Sequence, residues 1–200
     1  MPTLYQYWGT LLLIKALAQT AGQHGFTVTE ENLVRRDTTG LIFTIFPQGK
    51  AALSLAHRQR GTVIRLYPER SFGSGAGKSD YFSLSYQKRP DICIELLKPD
   101  FPPQLLLFDP KYKLLSDDIS QPEKNEPLRT DIDKMHTYRD AIRHKNAMRP
   151  VVFAGIMYPG STEVFSQGLA ALGCIPGNTG LDDVASILDK FIGEWVGAPS

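Results

Sequence analysis

Two cysteines in 200 residues are too few for a disulfide framework. Cys93 falls inside an apolar, strand-like run, where a reduced and buried thiol is expected. That pattern predicts a cytoplasmic protein. Long hydrophobic runs are missing as well. Nothing in the chain approaches the roughly 20 apolar residues a membrane-crossing helix needs, so a soluble chain with no membrane partner is expected. Near the start, Leu11 to Ile14 and Ala16-Leu17-Ala18 are apolar, but no positive charge precedes them and Lys15 interrupts them, so the segment reads as a helix and not as a signal peptide. An excess of one charge is absent too: the formal net charge is +1, which decides nothing about nucleic acid, so the charges must be read locally.

Read locally, they are uneven. From Lys50 to Arg89 there are eight Lys/Arg against Glu69 and Asp80, whereas the tail from Glu163 carries Asp182, Asp183, Asp189 and Glu194 against Lys190. A polyanion would meet one side of such a molecule, although the basic segment reads equally well as the solvated face of a meander. A hydrophobic content of 42% over this length is enough for one buried core, so a single α/β domain over 1–200 is expected. Met1-Pro2 directly before the first helix suggests a minimal protein, or a fragment lacking an upstream targeting domain.

Leu4, Trp8, Leu11, Leu12, Lys15 and Ala18 follow helical spacing, and Gly22 with Gly25 ends the pattern. This amphipathic helix should pack on a sheet. Short alternating segments follow at Leu41 to Phe46, Ala51 to Ala56, Thr62 to Tyr67 and Tyr81 to Tyr86, as expected of an antiparallel meander. Asp91 to Leu97 and Leu105 to Asp109 are nearly continuous in apolar residues, as in central strands covered on both faces, and should lie side by side. Asp131 to Lys145 reads as a helix, Val151 to Met157 as a buried strand and Leu181 to Trp195 as a closing helix. Ser116 to Pro127 is polar and reads as a loop. No internal repeat is visible. The expected fold is an α/β sandwich with a mixed central sheet flanked by helices.

The chemistry concentrates in Arg89-Pro90-Asp91-Ile92 and Asp109-Pro110-Lys111-Tyr112-Lys113. Side chains alternate along a strand, so Asp109 and Lys111 share one side while Pro110 points away. With Asp91 from the neighbouring strand, they make a small, oxygen-rich site of the kind Mg²⁺ or Mn²⁺ prefers. Such an ion polarises a phosphoryl oxygen and lowers the pKa of water, while Lys111 orients that water or neutralises developing charge. Phosphodiester hydrolysis is the reaction this arrangement suits.

Pro90-Asp91 followed by Asp109-x-Lys111 after an apolar strand resembles the signature of the PD-(D/E)xK nuclease superfamily, whose fold is restriction-endonuclease-like. Asp131-Ile132-Asp133-Lys134-Met135-His136-Thr137-Tyr138-Arg139-Asp140-Ala141-Ile142 resembles the helix after the lysine motif in nucleases related to the McrC subunit of modified-cytosine restriction systems. Lys134-x-x-x-Tyr138 also resembles the Gln-x-x-x-Tyr motif of RecB-like nucleases, with Lys for Gln. The resemblance implies a deoxyribonuclease with Asp91, Asp109 and Lys111 as catalytic core. Asp91, Asp109 and the Pro110 carbonyl would bind metal, and Lys113, Lys134, Tyr138 and Arg139 would contact phosphates. His136 is a further candidate contact. The first helix of these families often adds a Glu to the metal site; here Gln6 stands in its place, and Glu95 is the alternative acidic contributor. The implied partners are DNA, a separate nucleotide-hydrolysing motor and a second copy of the chain in a homodimer.

Blander readings compete. A lone Asp-x-Lys at a strand end is usually a solvated ion pair, and His136 equally suits a helix-surface pair with Asp140. Ser71 to Ser79 ends in Gly-Lys-Ser but has Phe72 where a phosphate-binding loop needs its first glycine, and Tyr81 to Tyr86 then alternates like a strand, so a hairpin tip is expected. A non-catalytic nucleic-acid-binding or assembly module on the same fold is the rival reading, favoured by Gln6 and opposed by Asp91, Asp109 and Lys111.

Overall fold

The computed structural model describes residues 2–36, 43–46, 49–75, 77, 79–112, 127–146, 148–166, 168–177 and 180–197. Lys113, and the expected loop apart from Pro127, lie outside the described residues.

Helix α1 (Pro2–Gln23) leads through Gly25, whose φ of +83° makes the turn, into β1 (Phe26–Glu31). Two short strands, β2 (Val34–Arg36) and β3 (Phe43–Ile45), pair with each other. Then come β4 (Leu53–His57), β5 (Val63–Pro68), β6 (Tyr81–Ser83), β7 (Ile92–Leu97) and β8 (Gln104–Pro110). Helix α2 (Arg129–Ala141) is followed by β9 (Ile142–His144), β10 (Val151–Tyr158), β11 (Glu163–Ser166), β12 (Leu169–Gly173) and α3 (Leu181–Gly197).

Among the described residues, eight strands form one sheet in the order β1-β4-β5-β7-β8-β10-β12-β11. The half from β1 to β8 is antiparallel, while β10 runs parallel to both β8 and β12. The expected mixed sheet is therefore present, with β7 and β8 side by side at its centre. The meander expectation needs correction at its ends. Of the segment expected from Leu41 to Phe46, the described Phe43–Ile45 pairs with Val34–Arg36, and Tyr81–Ser83 pairs with Ile142–His144, both outside the large sheet. The place of an outer strand is taken by Phe26–Glu31. The helix expected to reach Lys145 stops at Ala141, because Ile142 turns extended (φ −79°, ψ 131°) to pair with Ser83.

Alternation along β7 and β8 builds a core on each face. Ile92, Ile94, Leu96, Leu106 and Phe108 meet Leu13, Ala16 and Leu17 of α1 and Val184, Leu188, Ile192 and Trp195 of α3 in one cluster. The α3 residues recur at the spacing of a single helical stripe. Cys93, Leu105 and Leu107 face the other way and join Met135 and Tyr138 of α2, with Ala154 and Ile156 of β10. Asp109 continues the parity of Leu105 and Leu107, so it emerges on the α2 side. Pro110 emerges on the α1 side, where its Cγ would stand 2.9 Å from a Cβ placed on Gly9. A side chain at that helix position would push α1 off the end of β8.

Candidate active site

The register Ile92↔Phe108 brings the residue before β7, Asp91, beside Asp109 at the end of β8. Lys111 reaches back so that its Nζ is 2.8 Å from Asp109 Oδ2 and 3.4 Å from Asp91 Oδ2. Its backbone N–H donates to the Met157 carbonyl on β10, which fixes the strand end. From α2, Lys134 Nζ comes within 2.9 Å of the same Asp109 Oδ2. From α1, the Gln6 amide donates to Asp91 Oδ2 at 3.0 Å. The amide's orientation is the one a hydrogen bond to a carboxylate requires.

Asp109 is fully buried. Its Oδ2 is shared by two ammonium groups, yet its Oδ1 has no hydrogen-bond partner. Burial, then the hydrogen bond to Asp109 and that residue's charge, push the Asp91 carboxyl up to about 7 against the pull of Lys111 and Lys134. Burial opposes the charge on Asp109, but the hydrogen bond from Asp91 and the two lysines outweigh it and hold its carboxyl below the ordinary value. The two carboxyls are thus pushed in opposite directions, Asp91 toward its protonated form and Asp109 toward its ionised form. For Lys134, burial works against the charge, and Asp109 and Asp91 outweigh it, so its ammonium is held above its ordinary value.

Two adjacent carboxyls, one with a buried, partnerless oxygen, are what a divalent cation would satisfy. No group of three or more His, Cys, Asp or Glu side chains converges among the described residues. The side-chain donors brought together are the Asp91 and Asp109 carboxylates, a hard and sparse oxygen set. Mg²⁺ suits it because Mg²⁺ keeps several waters and takes substrate oxygens. The residues fit the ion. Gln6 serves here as a donor to Asp91.

Other sequence-predicted residues are not all brought together. Tyr138 is buried beneath Lys134, whose Nζ stands 5.3 Å from the ring centroid, and its hydroxyl donates to the Arg89 carbonyl at 3.1 Å. Burial, then the charges of Asp109 and Asp91, push its phenol well above the ordinary value, so it stays a donor. His136 and Arg139 line a separate hollow with Asp140 and Arg149, and Asp140 pairs with Arg149 at 3.2 Å. Glu95, four residues along from Asp91, is buried against Arg70 at 3.2 Å, with Arg65 at 3.9 Å, and does not reach the site. Arg70 in turn lies over the rings of Tyr67 and Tyr81 at 4.5 and 4.7 Å.

The basic segment is thus divided. Arg70 is internal, while Lys88 and Arg89 line an open hollow beside Lys134 and Tyr138. The Lys50 to Arg89 charge count marked Lys88 and Arg89 as basic, but it did not separate them from the internal Arg70. Phe72 bridges Lys88 antiparallel, but Ser74 bridges Ser83 in parallel, which a simple hairpin does not do, and the strand Tyr81–Ser83 follows instead of a helix. Burial pushes both the Cys93 and Cys174 thiols up to about 12, which disfavours the nucleophilic thiolate.

A family model described as the PD-(D/E)XK nuclease superfamily matches residues 3–163. The chain belongs to the PD-(D/E)XK nuclease superfamily. Its fold, a mixed central sheet with flanking helices, is the restriction-endonuclease-like one. Members of the superfamily are typically metal-dependent nucleases, with nucleic acid as substrate. Comparison with curated proteins and with solved structures gave no match. No helix among the described residues is long and apolar enough to cross a membrane.

Proposed function

We propose that this PD-(D/E)XK protein is a Mg²⁺-dependent endonuclease, able to use Mn²⁺, that hydrolyses phosphodiester bonds in DNA within a restriction or phage-defence system. The single observation that carries the reading is the buried Asp109 Oδ1 without a partner, beside the Asp91 carboxyl and the Lys111 ammonium. Asp91, Asp109 and the Pro110 carbonyl hold the ion. When bound, Mg²⁺ polarises the phosphoryl group and supplies an acidified water. Lys111 orients the attacking water and balances negative charge as it develops. Lys134, with Lys88 and Arg89 along the adjoining hollow, holds backbone phosphates. Tyr138 positions Lys134 from below and ties α2 to the Arg89 carbonyl.

DNA, the defence setting and a separate motor subunit follow from the likeness of residues 131–142 to McrC-related nucleases, and a cytoplasmic location from the reduced, buried cysteines. A single nuclease domain over 1–200 and a homodimer belong to the same proposal. A second reading, a nucleic-acid-binding module without catalysis, is favoured by Gln6, which gives Asp91 a neutral donor where a carboxylate would add a metal ligand.

The experiment is incubation of supercoiled and linear DNA, modified and unmodified, and of RNA, with Mg²⁺, Mn²⁺ or chelator. Cutting of DNA that chelator stops is expected. Binding without cutting under every condition would replace the nuclease with the binding module.

A further inference from the structure

Two hollows flank the catalytic carboxylates, and they differ in charge. The open one, about 460 Å³, is lined by Lys88, Arg89 and Lys134 against Asp133, which suits phosphates. The other, about 250 Å³, lies between the start of α1, β3 and the end of β5 and has Asp91 in its wall. Its described lining holds no Lys or Arg, and both Glu69 and Asp91 carry carboxyls there. It therefore lacks the cations that hold a phosphate, whereas its polar and aromatic lining suits a nucleobase.

We propose that this second hollow is a base-binding subsite. It receives one unstacked nucleobase bearing an exocyclic amine, next to the phosphodiester positioned at Asp91 and Asp109. The inference deepens the nuclease reading and rests on it.

Four features fit that occupant. Tyr7, 39% exposed, packs against Phe46 with ring centroids 5.9 Å apart at 52°, giving an aromatic wall on which any base can stack. The polar rim of Gln6, Thr44 and Glu69 offers hydrogen bonds to a base edge. A carboxylate there accepts from an exocyclic amine and has no counterpart on thymine or uracil at that edge. Glu69 also takes a 2.6 Å ion pair from Arg89, so the base-side wall is tied to the phosphate-side hollow across Asp91.

The fourth feature is backbone strain. Three non-glycine residues hold positive φ among the described residues, and two of them, Phe46 (53°) and Glu69 (51°), stand in this wall. A bulky side chain rarely adopts that conformation, and it clusters where a surface is shaped for a ligand. Because the hollow is concave, a base enters it only out of the stack, from a single strand, a frayed end or a flipped position.

The test is an abasic scan. The full chain is titrated in chelator with single-stranded and duplex oligonucleotides carrying one abasic position moved stepwise, and binding is read by fluorescence anisotropy. Wild type is expected to lose about tenfold in affinity at one position, the scale of one base–aromatic stack. Tyr7→Leu is expected to erase that position dependence. Cytosine or adenine at that position should bind better than thymine, and Glu69→Gln should remove the preference. No position dependence, or a dependence untouched by Tyr7→Leu, overturns the subsite. Cleavage of the intact oligonucleotides with Mg²⁺ is scored separately. Cutting without a positional base effect sinks the subsite alone, and a base effect without cutting upholds the subsite and sinks the nuclease.

Discussion

Lys134 of α2 and Asp109 of β8 meet at 2.9 Å, on the same carboxylate oxygen that Lys111 contacts at 2.8 Å. Two cations on one oxygen leave Lys134 in competition with a metal for Asp109, although its role toward substrate is attractive. Lys134→Gln should therefore bind Mn²⁺ a few-fold more tightly in the absence of DNA, because a charge about 3 Å away is removed from a partly screened site. The same variant should cleave roughly 10- to 100-fold more slowly. Calorimetric titration with Mn²⁺, paired with cleavage rates, checks both. Weaker metal binding would show that Lys134 organises Asp109 instead of competing for it.

Gly9 and Pro110 test the docking of α1. A methyl at Gly9 would lie 2.9 Å from Pro110 Cγ and 3.1 Å from its Cβ. Gly9→Ala should cost about 1–3 kcal/mol by overpacking, a fall in Tm of roughly 2–10 °C for a chain of this size. It should also lower activity, because Gln6 and the Pro110 carbonyl move with the contact. Pro110→Ala in the same chain should recover part of the Tm. A Gly9→Ala melt indistinguishable from wild type would mean that α1 sits farther from β8.

The proton on Asp91 gives stability a pH dependence. Its folded-state value, about 7, lies above the ordinary 3.8, so the folded chain holds the proton more tightly than the unfolded chain. This contribution is fully present below about pH 4 and is lost as pH rises to about 7 and beyond. In chelator, Asp91→Asn should melt higher than wild type at pH 8, by roughly 2–6 °C, and show little advantage at pH 4. Added Mg²⁺ should raise wild type and leave Asp91→Asn unmoved. Melts that run parallel across pH would refute the raised Asp91 carboxyl.

Glu95 and Arg70 form a buried pair at 3.2 Å on the α2 face, away from the carboxylates. Breaking a pair of this kind leaves an uncompensated buried charge, with a cost of about 3–5 kcal/mol. Glu95→Gln should lower Tm clearly while leaving Mn²⁺ affinity at the wild-type value. A loss of metal affinity in a variant that still folds would restore Glu95 as a ligand.

The sequence made the centre of the molecule legible because its central strands are covered on both faces. Asp91 to Leu97, Leu105 to Asp109 and Val151 to Met157 read as apolar runs for that reason. Strand β1 was illegible because only Phe26 of its six residues is buried. Strand β12, Leu-Ala-Ala-Leu-Gly, is buried throughout but too short and too rich in small residues to show a period. Helix periodicity ran on past Ala141 because Ile142 fits the stripe, and only the distant Ser83 ends it. At the site, strand parity alone placed Asp109 with Lys111. Helical spacing paired Lys134 with Tyr138 but could not say that Arg139 and His136 fall on the other flank of α2. The Gly9 contact and the hollow at Tyr7 exist only once α1 is docked.

The most direct test separates metal holding from water handling. Asp109→Asn and Lys111→Gln are compared with wild type for Mn²⁺ binding and for Mg²⁺-dependent DNA cleavage. The account expects Asp109→Asn to lose both, and Lys111→Gln to keep metal binding while cleavage falls at least about 100-fold, the scale of removing one electrostatic contact to the transition state. Cleavage that survives either substitution, or that persists in chelator, would contradict it.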